Sequence, residues 1–581
     1  MGSRPLRTER WGYAVLFAFL LLYPFPYQAR LNNPNENVRL YMTAALVEHG
    51  TYAIDRMRER WGWVNDAATR DGHVYSVKAP GTSWLGVPGY AFYLGVTRMF
   101  GIEFDRTVAL WVCRVTGTIL PFWLGLLWLW RWLDSQTRHA SLRDSVFVSV
   151  AFGSLLYGYG LLFVSHTLSA LAAFVAFAGL RDAARGSDPP KPLHSFWLGT
   201  LTAWVTVLEY PGLIASIVLA AYALWLLRFR RALWWFAAGG VLPALAMMHF
   251  QWSAFGSPFS PGHLMVENDA FRSAHEQGLY GAVGPTWSSL HGLLTDPGAG
   301  LFPLTPLLLF ALPGFYWMVR SAADRVAAWF ALSLCTLTLL SIASMNNWRG
   351  GWTVGPRYLA VLVPFMAWAA LVAFNKLAER WPRTSLAVAS GAALAGVVAS
   401  GAVSVYYPHL PPEFTRPLPQ LIGLLVAHDY APLNAGHWLA WHGTLSMVPI
   451  AIAALAVLYL GYRQIPRLAG RGVVLLGSLS TAGLFIAPLT LRPDYEPGVA
   501  EARAFVTRRW SPAGHDVAAR IEQTLVIAER SGAPNGPRPD AYRELSEVYR
   551  SEGRESENLR TDRRGQRIGS GPRPTFTASD K

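Results

Sequence analysis

The sequence predicts an all-α polytopic membrane protein with about 13 transmembrane helices and amphipathic juxtamembrane helices in its first external loop. Three observations carry this expectation. Hydrophobic residues make up 52% of the 581-residue chain and charged ones only 15%. Apolar runs near the length needed to cross about 30 Å of hydrocarbon recur along the chain. The basic residues behind the formal net charge of +14 lie in short clusters between those runs. That is a pattern of membrane topology rather than a continuous stripe for nucleic acid, so membrane lipids are the expected surroundings and no nucleic-acid partner is expected.

Taken in order, Arg4, Arg7 and Arg10 precede the first apolar run, about residues 11 to 29, which places the N-terminus in the cytoplasm and residues from Arg30 onward outside. No small-residue cleavage site of the A-x-A kind follows, so the run reads as a retained anchor. Basic clusters at 131–143, 181–191, 228–231, 320–325, 376–383 and 463–471 mark cytoplasmic loops. Parity then requires that either 81–100 or 107–130 does not span. The first, "GTSWLGVPGYAFYLGVTRMF", has Gly and Pro in its middle and is expected to lie along or dip into the outer leaflet. The run from Ser145 to Leu180 breaks near the "GYG" at 158–160 into a hairpin whose outward tip carries His166. Thirteen spans result, near 11–29, 107–130, 145–161, 165–181, 195–208, 211–228, 231–250, 301–319, 326–344, 358–375, 385–405, 442–460 and 473–490.

This topology puts the polar complexity on one side, as expected for a site facing the external compartment. A transporter needs polar groups inside its spans and a path to both faces. In "NPNEN", Asn33, Pro34 and Glu36 have the N-cap, N1 and N3 spacing of a capping box, and residues 38–49 form an amphipathic helix suited to the interface plane. Glu36 is thus a capping residue or a catalytic candidate, and Arg39 one turn on is a candidate phosphate ligand. Lys78 in "KAPG" is a point charge suited to phosphate at the membrane surface, or a snorkelling interfacial lysine. Arg357 and Tyr358, with Trp348, sit in "NNWRGGWTVGPRY", which reads either as an aromatic belt or as a phosphate-binding turn of backbone N–H groups and guanidinium. Glu209 ends a span, where a carboxylate costs free energy unless solvated or paired. His166, Asp55 and Asp66 complete the candidates. Only Cys113 and Cys335 are present, both in apolar segments, so no disulfide is expected. There is no P-loop, G-x-S-x-G elbow or H-E-x-x-H, and neither "NPNEN" nor "DPGAG" has the ligand spacing of a Ca²⁺ loop. No metal and no cofactor are expected.

In their order, the acidic residue after the first span, the external amphipathic helix, the Lys-x-Pro element, "SHTLSALAAF", "FGSPFSPG" and "WRGGWTVGPRYLAVLVPF" resemble the glycosyltransferase C superfamily. More narrowly, they resemble bacterial membrane proteins of the protein O-mannosyltransferase and lipid A aminoarabinose-transferase type. The likeness spans about residues 11 to 375. It implies an inverting glycosyltransferase that takes a hexosyl or pentosyl group from a polyprenyl-phosphate sugar donor to a lipid, glycan or protein acceptor. The site would face the periplasm or exterior from the bacterial inner membrane. It also implies Glu36 as base, with Lys78 and Arg357 stabilising the departing phosphate. The commonest pattern has an Asp or Asp-Glu element where "NPNEN" stands and Lys-Pro-Pro where "KAPG" stands, so Asp55 and Asp66 compete for the role of base.

The expected organisation is a catalytic module at 1–375, further spans at 376–490, and an extramembrane tail at 491–581. In the tail "AYRELSEVYRSEGRESENLR" reads as a short exposed helix and the last twenty or so residues as disordered. Two rival readings are a flippase or transporter of a polyprenyl-linked glycan and a non-catalytic scaffold of envelope assembly.

Overall fold

The computed structural model describes residues 7–24, 33–185, 190–228, 231–278, 281–463, 470–491, 498–500 and 539–551, with isolated positions between 502 and 562. Arg4, Arg30, the end of the first expected span and the last residues of the tail lie outside these. The protein is an all-α polytopic membrane protein. Nine helices among the described residues are long and apolar enough to cross a membrane, by length and composition. The helix at 10–22 and Pro306–Arg320 are shorter apolar helices.

The chain begins with α1 (Arg7–Leu22), then α2 (Pro34–His49) and α3 (Asp55–Trp61), followed by a two-stranded antiparallel ribbon, β1 (Ala67–Arg70) and β2 (His73–Ser76). The ribbon is absent from the sequence-based expectation. It is closed by Asp71 and Gly72, both with positive φ (52° and 81°), the two-residue Asp-Gly turn whose twist matches that of paired strands. Next come α4 (Gly81–Phe100) and α5 (Arg106–Arg114), which continues through a π-helical turn, Val115–Ile119, into α6 (Leu120–Gln136). The continuous helix Arg106–Gln136 has 31 residues, about 46 Å and so longer than the hydrocarbon is thick.

Contacts between loops separate two faces. Arg181 reaches Gln136 Oε1 and Asp324 Oδ1, each at 3.0 Å, and Thr137 donates to Asn375 Oδ1 at 2.6 Å. Tyr13 of α1 donates to Asp144 at 2.6 Å beside Arg143. The N-terminal helix and four of the basic clusters therefore share one face. Segment 81–100 begins and ends on the other. Gly81 sits under Val207 and Leu208 at the far end of a later helix, and Phe104, just past α4, stacks on Trp61 at 6.2 Å. The non-spanning reading of 81–100 fits this arrangement.

The expected span at 145–161 is two short helices, α7 (Ala140–Ala151) and α8 (Leu155–Gly160). A Cβ on Gly153 would lie 2.9 Å from the backbone N of Val397, and Ser154 caps α8 by accepting from the N–H of Leu156. The close approach and the cap together stop the helix. Then follow α9 (His166–Arg185), α10 (Pro192–Leu208), α11 (Leu213–Leu227) and α12 (Arg231–Phe255). Helices α10 and α12 cross at Gly199 and Gly239, where a Cβ would come within 1.8 Å of Phe236 O and 1.9 Å of Phe196 O. Small residues let helix backbones approach in a membrane. Gly239→Leu should therefore cost at least about 1–3 kcal/mol and lower the thermal midpoint in detergent; an unchanged midpoint would contradict this crossing.

Helix α2 corrects the interfacial expectation. Its residues Asn35 to Ala45 are all buried, packed in a core with α4, the ribbon, Phe163 and Phe255 rather than laid on lipid. The capping reading holds in part. Asn33 is the N-cap, accepting from the N–H of Asn35 at 3.1 Å, and Pro34 opens the helix, but Glu36 turns inward. In the tail, helix Pro539–Ser551 is not simply exposed: Tyr542, Leu545 and Tyr549 are buried against Ile521 and Leu525.

Candidate active site

The ribbon sets the first pair of charges. Because β1 and β2 pair in register, the residues just outside them meet: Val77 donates its N–H to Asp66 O at 3.1 Å, and Lys78 Nζ lies 3.1 Å from Asp66 Oδ2. Asp66 takes a left-handed backbone (φ 62°), a conformation that Asp adopts more readily than most residues. Both side chains line a cavity of about 750 Å³. Its other walls are the N-cap turn of α2, the α8–α9 turn with Tyr159 and His166, the 263–275 loop, the 345–358 turn with Arg357 and Tyr358, and Tyr407 with His409.

Arg357 is the unusual group. Its guanidinium donates to Tyr358 Oη at 3.1 Å, its Nε has no partner, and no carboxylate lies within ion-pair distance of it among the described residues. Burial alone would raise the pKa of the Asp66 carboxyl, but the charges of Lys78 and Arg357 outweigh it and hold the group below the usual aspartate value. The cavity therefore holds two cations and one carboxylate already engaged by one of them.

Glu36 is elsewhere. It is fully enclosed, accepts from Arg114 Nε at 2.6 Å and Nη2 at 2.5 Å and from the N–H of Phe163 at 2.6 Å, and is not among the residues lining the cavity. Asn33 Nδ2 at 3.3 Å and His409 Nε2 at 3.9 Å complete its surroundings. Burial works against its charge, yet Arg114 and His409 overcome that and keep its pKa well below the glutamate range. Asp55 is also outside the cavity, accepting from the N–H of Val74 at 3.1 Å and lying 3.4 Å from His73 Nδ1, so that it ties α3 to the ribbon. Of the three candidate bases, only Asp66 reaches the cavity.

Arg39 lies behind the lining. It donates to Asn35 O at 3.0 Å, to Asn35 Oδ1 and to Ser165 Oγ at 3.1 Å, and burial lowers its pKa to about 10. It thereby fixes Asn35, which does line the cavity. Glu209 also stands behind the wall, 2.8 Å from His166 Nδ1 and accepting from Ser165 Oγ. Burial opposes its ionisation, but His166 and Arg39 prevail and lower its pKa to about 2. Trp348 packs over Gly292 outside the cavity, whereas Trp352 lines it.

The sequence reading missed His263, His275, His409 and Tyr159. His263 closes the quoted "FGSPFSPG" loop, the one local hint available. His409 and Tyr407 come from the 376–490 segment and still line the same cavity as residues of the first 375. No group of three His, Cys, Asp or Glu side chains suited to a metal ion occurs among the described residues.

No family model matches this chain, and no curated protein does. Among solved structures it is similar to ArnT from Cupriavidus metallidurans bound to undecaprenyl phosphate, at 14% identity over 89% of this chain and 80% of that one, with a TM-score of 0.44. The apo state of ArnT from the same organism aligns at 15% identity over 93% and 94% of the two chains, again with a TM-score of 0.44. Arabinosyltransferase EmbB from Mycobacterium smegmatis aligns at 14% identity over 89% of this chain and 45% of that one, with a TM-score of 0.39. At these identities and TM-scores the likeness assigns no chemistry, which is read from the side chains of this chain alone.

Proposed function

We propose that this protein transfers a hexosyl or pentosyl group from a polyprenyl-phosphate donor to a lipid, glycan or protein acceptor, with inversion at the anomeric carbon. It does so at the extracytoplasmic face of a bacterial inner membrane. The observation that carries the reading is Arg357, a half-buried guanidinium whose Nε is enclosed and unpartnered and which has no carboxylate partner among the described residues, lining the same cavity as Lys78. A buried charge is costly unless paired, so the cavity asks for an anion that the described residues do not supply. A phosphate with two or three free oxygens answers it, with bidentate pairing to Arg357 and a point charge from Lys78. The volume suits a sugar phosphate. Phosphate is a good leaving group, so these cations act by stabilising the charge that develops as it departs.

In this reading Glu36 serves as an anchor: its lone pairs are taken by Arg114 and Phe163. Asp66 positions the Lys78 ammonium. The residues of the catalytic module extend in this reading beyond the expected 1–375 to include Tyr407 and His409, and the start of the tail packs on the helical core through Val499 and Val506.

The test is sugar release from a panel of radiolabelled polyprenyl-phosphate sugars by purified protein in lipid. Wild type is expected to turn over at least one donor, and Lys78→Ala to lose about 10²-fold or more. Movement of donor across the bilayer without transfer would replace this reading with the flippase.

A further inference from the structure

The reaction proposed above needs a base, and the loop carboxylates do not supply one. Glu36 is outside the cavity and Asp66 is held by Lys78. We propose that His166 is the catalytic base that takes the acceptor's proton, and that Glu209 is its positioning residue. The inference rests on the transferase reading.

Four histidines line the cavity, and their surroundings differ. His409 Nε2 lies 2.6 Å from Asn33 Nδ2 and 3.9 Å from Glu36 Oε2, so that nitrogen is already engaged. His275 points Nδ1 at Phe271 O, 2.6 Å away, on an exposed helix. His263 faces His275 and Tyr210 ring to ring, with Lys78 the strongest neighbouring charge, and no carboxylate orients it. His166 alone combines a carboxylate on one nitrogen with a free second nitrogen. Its Nδ1 lies 2.8 Å from Glu209 Oε2, not yet aligned as a hydrogen bond, and its Nε2 has no partner although the side chain is 97% buried and borders the cavity. A carboxylate that orients one imidazole nitrogen leaves the other as the working base, and such contacts commonly tighten when substrate binds.

The local fold explains the placement. The break after α8 lets the chain turn, so that α9 begins at His166 on the cavity wall, and Tyr159 and Tyr358 hold the ring at 4.9 and 6.0 Å between centroids. The α10 helix ends at Leu208, which delivers Glu209 behind the ring, and Ser165 Oγ–H fixes the same carboxylate oxygen. Arg39 from α2 and Arg357 from the 345–358 turn are the other charges acting on His166.

The step balances. The acceptor O–H gives its proton to His166 Nε2 as its oxygen bonds to the anomeric carbon. The bond from that carbon to the donor phosphate oxygen breaks, and its electron pair leaves on a phosphate held by Arg357 and Lys78. The imidazolium then returns its proton to solvent.

The experiment compares wild type, His166→Gln, His166→Ala and Glu209→Gln in lipid, measuring donor binding, transfer against pH, and site-resolved carbethoxylation of histidines by mass spectrometry. Donor binding should persist in all four. Transfer should fall about 10²–10⁴-fold in His166→Gln, and added imidazole should restore part of it in His166→Ala. Wild-type transfer should decline at acid pH, where the base is protonated, and that limb should vanish in His166→Gln. Glu209→Gln should lower kcat with the donor KM unchanged. Transfer by His166→Gln with the acid limb intact, or no rescue by imidazole, would overturn the assignment. Carbethoxylation needs no substrate: a His166 rate that depends on Glu209 supports the dyad, and an indifferent rate refutes it. Wild type that turns over no donor overturns the transferase reading instead.

Discussion

Replacing Arg114 by alanine is expected to cost about 3–5 kcal/mol of stability, because it breaks a buried ion pair from one side. The substitution leaves the Glu36 carboxylate 0% exposed with its bidentate partner gone, and neither the N–H of Phe163 nor the distant His409 ring replaces a guanidinium. Because Glu36 lies on α2 and Arg114 ends α5, the loss also separates two walls of the core beneath the cavity. Glu36→Gln keeps the shape and should lower stability less, while the folded fraction retains turnover; as a base, Glu36 would instead lose turnover with stability intact. Acid adds a sign test. The folded pKa of Glu36 lies below its ordinary 4.5, so its stabilisation is complete above about pH 4.5 and fades as pH falls toward the folded value. Thermal scans across that window should show a limb that Glu36→Gln flattens. An Arg114→Ala protein melting with wild type would refute the anchor.

Arg357→Ala is expected to behave in the opposite way. Donor binding should weaken by about 2–5 kcal/mol, roughly thirtyfold to several thousandfold in Kd, because a desolvated guanidinium facing phosphate contributes far more than a surface one. The ligand-free protein should be no less stable, and the midpoint is expected to hold or rise, since the substitution removes a half-buried charge with no carboxylate in ion-pair contact among the described residues. Arg357→Lys should recover part of the affinity, as it keeps the charge and loses the fork. Titration of polyprenyl phosphate into each variant, read with thermal midpoints, checks both halves. Unchanged affinity in Arg357→Ala would remove this side chain from the phosphate site.

What the sequence revealed follows from how far each signal reaches. Spans and sidedness are written locally, in apolar runs and in the basic clusters around Arg143, Arg181 and Arg325, and those loops do meet on one face. The Asn33-Pro34 start of α2 is likewise local. The Asp71-Gly72 turn was also legible as a hairpin signal, but the polar residues flanking it are not a strongly alternating pattern. Burial of α2 was not legible, because its partners Arg114 and Phe163 stand 78 and 127 positions away. The same distance hid the site's composition. Nothing near Glu36 in sequence says that an arginine will occupy it, and nothing near His409 says that it will reach Asn33, 376 positions earlier.

That last contact bears on how the protein is made. The cavity's final wall, Tyr407 and His409, follows the Pro382–Tyr406 helix, so it takes its place only after that helix has entered the bilayer. A nascent chain with its first ten or so helices in place already carries Lys78, Arg357 and His166, yet the pocket around them is still open on one side. In the proposed reading, a partly inserted chain would offer a carrier lipid only an unfinished seat, and the cavity is completed late in biogenesis.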